Sequence, residues 1–171
     1  MKRIILARCG EIMLKGLNRH TFENKLVSNI RKTLNRLGKA KVVKSHGRIF
    51  IEPQDENFDF GKAIERLSKV FGIVSTSPVL CINTDFEEIK KYSLYIAKEQ
   101  MDKGVGTTFK VETKRVNKEF HMNTPEINRE LGAYMLSELP SLSVDVNNPS
   151  FIVNVEVRDL TYLFTEIIPS F

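Results

Sequence analysis

The chain has 171 residues, 42% hydrophobic and 27% charged, a composition that fits a folded domain and not a disordered or fibrous chain. No apolar run approaches the roughly 20 residues needed to span a bilayer, and the apolar stretch after Met1 stops at Arg8, too short for a signal peptide. Two cysteines, Cys9 and Cys81, exclude a disulfide framework and point to reduced thiols and a cytoplasmic protein.

Charge is divided unevenly along the chain. Residues 1–48 carry 13 Lys and Arg against only Glu11 and Glu23, a net of +11, whereas the other 123 residues carry 13 basic and 19 acidic side chains. Such a concentration repels itself and weakens the compact state. A bound polyanion relieves that repulsion, since cations set against phosphates release condensed counterions. A basic face that is merely solvated is the alternative that charge alone leaves open.

In chain order, Ile4–Ala7 predicts a short buried strand, followed by the glycine-bounded segment Gly10–Gly16. Asn18 predicts the cap of a helix running to about Leu37, with Gly38 just beyond its end. Phe22, Leu26, Val27, Ile30, Leu34 and Leu37 make its inward stripe; Asn18, Lys25, Asn29, Lys32 and Arg36 make a polar and basic one. Lys41–Ser45 and Arg48–Glu52 read as a hairpin about His46-Gly47 and closed by Pro53. Asp59 predicts the cap of a helix with Ala63, Ile64, Leu67, Val70 and Phe71 inward, ended by Gly72, and Ile73–Ile82 is the next strand. This β-α-β-β-α-β order is the ferredoxin-like pattern.

A second unit begins near residue 83. Asp85 with Glu88 predicts the capped start of a helix to about Met101. Thr107–Thr113 alternates as a strand, with Phe109 and Val111 on one side and Lys110, Glu112 and Lys114 on the other. Thr124-Pro125 reads as N-cap and first helical residue of a helix to about Leu139. Phe151–Val157 and Thr161–Glu166 read as strands about Arg158-Asp159. The pattern gives a mixed α/β unit but no sheet order. The expected organisation is therefore α+β, with domains at 1–82 and 83–171.

The sharpest local feature is Phe109–Glu126. Lys110 and Lys114 share a strand face, Arg115 and Lys118 follow, and the loop leads through Phe120, His121 and Asn123 to a helix N-terminus. Unpaired N–H groups at such a terminus favour an anion, and an aromatic between lysines can stack on a base. The competing reading places Phe120 in the core and leaves the lysines in solvent.

The segments GEIMLKGLNRHTFENKL (Gly10–Leu26), GRIF (Gly47–Phe50) and FKVETKRVNKEFHMNTPEINRELGAYML (Phe109–Leu136) resemble the N-terminal half of the tRNA 4-thiouridine synthetases, also called the thiamine-biosynthesis sulfurtransferases. The resemblance covers nearly the whole chain. It implies an N-terminal ferredoxin-like domain followed by a THUMP domain, which together hold the acceptor stem and 3′ end of tRNA. Lys15, Asn18, Arg19, Lys25 and Arg48 would then meet phosphates along the stem. Lys110, Lys114, Arg115, Lys118, Phe120, His121, Asn123 and Arg129 would handle the 3′ end.

In that family a following ATP-pyrophosphatase domain, using ATP and Mg, adenylates the uridine at position eight. Sulfur reaches the full enzyme from a cysteine desulfurase, and a homodimer is compatible with the family. This sequence contains no SGGxDS-type phosphate loop and no rhodanese segment. The expectation is an RNA-binding half without cofactor, metal or membrane partner, whose catalytic domain lies elsewhere.

Rival expectations are a THUMP protein of another tRNA-modification system, a basic ribosome-associated protein, and a self-contained enzyme with Cys9 or Cys81 as nucleophile. The last requires a thiol of depressed pKa. His20, His46 and His121 are scattered, without metal-ligand spacing.

Overall fold

The computed structural model describes residues 1–10, 18–45 and 47–171. Its elements in chain order are β1 (Lys2–Cys9), α1 (Arg19–Leu34), β2 (Ala40–Ser45), β3 (Arg48–Pro53), α2 (Phe60–Leu67) and β4 (Ile73–Asn83). There follow α3 (Phe86–Asp102), β5 (Thr108–Arg115), α4 (Thr124–Glu138), β6 (Ser143–Val144), β7 (Phe151–Val157), β8 (Leu160–Phe164) and β9 (Ile168–Pro169). They form two compact units, one of residues 3–79 with 167–171 and the other of residues 80–166 with Met1–Lys2.

In the first unit the strands lie in the order β2-β3-β1-β4. β3 is antiparallel to both neighbours, with Ile5 opposite Ile51 and Val42 opposite Ile51 on its other side. This is the ferredoxin-like arrangement that the βαββαβ order predicts. Ile5 and Ala7 alternate along β1 toward the same core that Leu26, Val27, Ile30 and Leu34 enter from α1 and Ala63 and Leu67 enter from α2. Asp59 caps α2 as predicted, accepting from the Lys62 amide at 3.0 Å.

Four local expectations change. α1 ends at Leu34, one turn early, and Asn18 occupies its N-cap position without a side-chain hydrogen bond. Phe22 lies on the predicted inward stripe yet is 46% exposed, because burial of α1 begins one turn later at Leu26. Phe71 is 85% exposed. It sits past the end of α2, in the turn that Gly72 completes at φ 103°, so helical spacing no longer governs its direction. The hairpin residue His46 lies outside the described residues, while Gly47 takes the positive φ of 78° that a tight turn demands.

The second unit orders its strands β4-β8-β7-β5-β6. β5 is parallel to β6 and β7, whereas β8 is antiparallel to β7 and β4. The parallel step from β5 to its neighbours needs a crossover, and α4 supplies it. Phe109, Val153, Val155, Val157 and Leu163 form a buried layer against Ile89, Ile96 and Ala97 of α3 and Ile127, Leu131 and Met135 of α4. The Phe109 ring stacks on Phe151 across the parallel pair, centroids 6.2 Å apart. Asp85 caps α3 through the Glu88 amide, as expected.

Two short strands, β6 and β9, have no precursor in the sequence pattern. β9 joins β4 through Ser75–Pro169 and Thr76–Ile168, so residues 167–171 belong with the first unit and not with the sheet they follow in sequence.

Candidate nucleic-acid interface

α1 is amphipathic because four aliphatic side chains recur at helical spacing, which leaves Arg19, His20, Lys25, Lys32 and Arg36 exposed. One acid of α1 engages two cations, one from the helix and one from β2. Arg19 Nε donates to Glu23 Oε1 at 2.8 Å, and Lys44 Nζ lies 3.7 Å from the other carboxylate oxygen while donating to Asn24 Oδ1 at 2.8 Å. Lys15 lies outside the described residues. Arg48 is half-buried at the head of β3, directly opposite Arg8. Arg8, not singled out by sequence reasoning, donates to Ser77 Oγ at 3.0 Å and Ser75 Oγ at 3.3 Å.

The Arg19 hydrogen bond holds the Glu23 carboxyl below its ordinary value of 4.5, with the charges of Arg19 and Lys44 acting the same way and partial burial opposing them. A depressed carboxyl pKa contributes stability above the ordinary value and loses it as pH falls through the folded one. Urea unfolding should therefore show Glu23→Gln less stable than wild type at pH 7, with the gap closing as the pH falls below the ordinary carboxylate range and through the folded value. A gap that does not narrow with falling pH would show that packing, not ionisation, sets the difference.

In the second unit, Lys110 and Lys114 share one face of β5. Lys110 is half-buried and pairs with Glu112 at 2.8 Å, while Lys114 is exposed. The loop that follows is pinned at several points. The amides of Val116 and Asn117 both donate to Val157 O at 2.9 Å. Asn117 Nδ2 donates to Arg158 O, and Asn117 Oδ1 accepts from the Glu119 amide at 3.0 Å. Arg115 donates from one guanidinium nitrogen to Lys118 O and Phe120 O, at 3.1 and 3.2 Å. Arg115 thus holds the loop together, a role its sequence position did not disclose.

The loop presents Lys118 and His121 to solvent, with Phe120 half-buried against the core. The Phe120 and His121 rings stand 4.7 Å apart at 54°. Both alternatives for Phe120 are therefore partly met: its body packs inward, and its ring still adjoins an exposed imidazole.

At the start of α4 the cap is Asn123, one residue before the expected Thr124. Asn123 Oδ1 accepts from the Glu126 amide at 2.9 Å, and Glu126 Oε1 accepts from the Asn123 amide at 3.3 Å. This reciprocal box occupies amides that were expected to be open to an anion. The positive charge at this end of the unit therefore comes from the cations around the loop more than from the helix end. Arg129 is exposed one turn further along α4.

Among the described residues no three His, Cys, Asp or Glu side chains group to hold a metal, and no helix is long and apolar enough to cross a membrane. Cys9 is half-buried, and burial, followed by the nearby Glu23 charge, pushes its thiol above the ordinary value. That is opposite to what a cysteine nucleophile requires.

Comparison with known proteins agrees with this geometry. The ThiI ferredoxin-like domain model matches residues 4–77, and the THUMP domain model matches residues 83–166. A probable tRNA sulfurtransferase of Acetivibrio thermocellus is 56% identical over 168 residues, covering 98% of this chain and 43% of the relative. Its counterpart from Alkaliphilus metalliredigens is 44% identical over 171 residues, again 43% of the relative. This chain thus spans less than half the length of the curated relatives it matches.

Among solved structures, a 4-thiouridine synthetase–RNA complex with bound ATP superposes with a TM-score of 0.87 at 42% identity, covering 99% of this chain and 42% of that one. PH1313 from Pyrococcus horikoshii Ot3 gives 0.82 at 30% identity, covering 98% and 55%. With both domain models placed in order and the fold shared along its length, the chain belongs to the tRNA 4-thiouridine synthetase (tRNA sulfurtransferase) family, of which it comprises the ferredoxin-like and THUMP domains.

Proposed function

We propose that this chain is the tRNA-binding module of a 4-thiouridine synthetase, holding the acceptor stem and 3′ end while the uridine at position eight is thiolated. The observation that carries the reading is the pinned loop 116–122, which offers Lys118, Phe120 and His121 from a rigid base in a fold shared with a synthetase captured on RNA.

Each unit has a part. Lys25 and Lys32 of α1 and Arg36 just beyond its end meet phosphates along the duplex, where the deep, narrow A-form groove gives side chains little base to read. In the second unit Lys114 and Lys118 attract the single strand and the Phe120–His121 step stacks its terminal base. Arg115 and Asn117 act as positioning residues, keeping that step in place before RNA arrives and so lowering the ordering cost of binding.

Adenylation and sulfur delivery fall to an ATP-pyrophosphatase domain with its ATP and Mg and to a cysteine desulfurase. No phosphate loop or metal-ligand cluster of the described residues suits those groups.

Filter binding of tRNA with and without its 3′-terminal nucleotides, across a salt series, tests the reading. Intact tRNA should bind about 10-fold more tightly, one stacked base's worth, and log K should fall linearly with log salt. Equal affinity for both forms would remove the 3′-end role, and a flat salt response would remove phosphate binding.

A further inference from the structure

Phe22 and Phe71 are exposed well beyond what is usual for phenylalanine, and they wall the same groove. The groove, of about 120 Å³, is completed by Leu26, Lys25 and Asn29. Among the described residues its lining has no acidic side chain, and the nearest carboxylate along α1, Glu23, is committed to Arg19 and Lys44. Five side chains around so small a volume cannot seat a helix, which is about 10–12 Å across. The space suits one flat ring.

Its chemistry narrows the occupant further. Two phenyl rings and Leu26 offer stacking surface, the Asn29 amide offers both a donor and an acceptor, and Lys25 offers a cation. The rest of the exposed face of α1 bears Arg19, His20 and Lys32, with Arg36 just past its end. A ring with a hydrogen-bonding edge and an attached phosphate complements all of these together.

We propose that this groove is a stacking subsite for one unpaired nucleotide of bound RNA, separate from the loop that takes the 3′ end. The base lies against Phe71 and Phe22, its edge meets Asn29, and its phosphate meets Lys25. The assignment rests on the RNA-binding reading and adds to it a second place where single-stranded character is sensed. A purely duplex ligand would leave the two rings in water.

The chain contains no tryptophan, so Phe71→Trp introduces a single indole fluorophore at the groove. Phe71 is 85% exposed, and neither this change nor Phe71→Ala disturbs the core. The probes are a tRNA transcript, a ten-nucleotide single-stranded RNA, and heparin as a polyanion without bases. Stacking should quench the introduced indole with both RNAs but not with heparin. Phe71→Ala should weaken tRNA binding about 10-fold without changing the salt slope.

Equal quenching by heparin, absence of quenching, or full tRNA affinity in Phe71→Ala would overturn the subsite. So would a Phe71→Ala protein that loses self-association in sedimentation while keeping its RNA affinity, since the groove would then be a protein interface. Failure of the wild-type chain to bind tRNA would remove the general reading along with the subsite. Wild-type binding that Phe71→Ala leaves unaltered would remove the subsite alone.

Discussion

Replacing Phe109 by alanine should destabilise the second unit by about 3–5 kcal/mol, as deletion of a large buried aromatic does. The ring is fully buried, stacks on Phe151, and lies on β5, the strand that both β6 and β7 join in parallel. A loss of that size is a large part of the roughly 5–15 kcal/mol that holds a typical domain together. Urea unfolding followed by circular dichroism would register it, and Phe71→Ala provides the contrast, within about 0.5 kcal/mol of wild type as an exposed change should be. Because β5 runs directly into the loop that Arg115 pins, 3′-end discrimination should disappear with the fold. A loss below about 1 kcal/mol would mean that the site relaxes around the cavity, contrary to the dense packing of its buried layer.

The other large effect concerns charge. The triple change Lys25→Gln, Lys32→Gln, Arg36→Gln should weaken tRNA binding on the order of 100-fold at physiological salt. It should also reduce the magnitude of the salt slope by about 2 to 3, close to 0.7–0.9 for each phosphate no longer neutralised. The same change removes self-repulsion from a region with a net charge of +11 over residues 1–48, so folding stability should hold or rise slightly. Binding and stability moving in opposite directions is the signature of a surface kept basic for a ligand. An unchanged slope would place the phosphates elsewhere and leave α1 a solvated face.

Elements whose causes are local were legible from the residues alone. Asp59 and Asp85 each reach an amide three residues on, so the starts of α2 and α3 follow from side-chain chemistry within one turn. The alternation of Phe109 with Lys110 sets the two faces of β5, and a one-residue slip would put the phenyl ring in water. The polar and basic face of α1 follows from spacing in the same way. Around α4 two neighbouring residues could each cap. Asn123 prevails over Thr124 because Glu126 stands at the right offset to return the hydrogen bond, a signal present in Asn-x-x-Glu but outweighed by the Thr-Pro pair.

What the chain by itself determined is therefore the order of its helices and longer strands, the caps of α2 and α3, and where its positive charge is concentrated. Each of these depends on residues within a turn or two of one another. Only the tertiary structure decided that β9 pairs with β4, that β5 lies parallel between β6 and β7, that Arg115 closes a loop, and that Phe22 and Phe71 face solvent around one groove. Those outcomes depend on partners distant in sequence and on which neighbour reaches a surface first, and periodicity along a single segment carries no record of either.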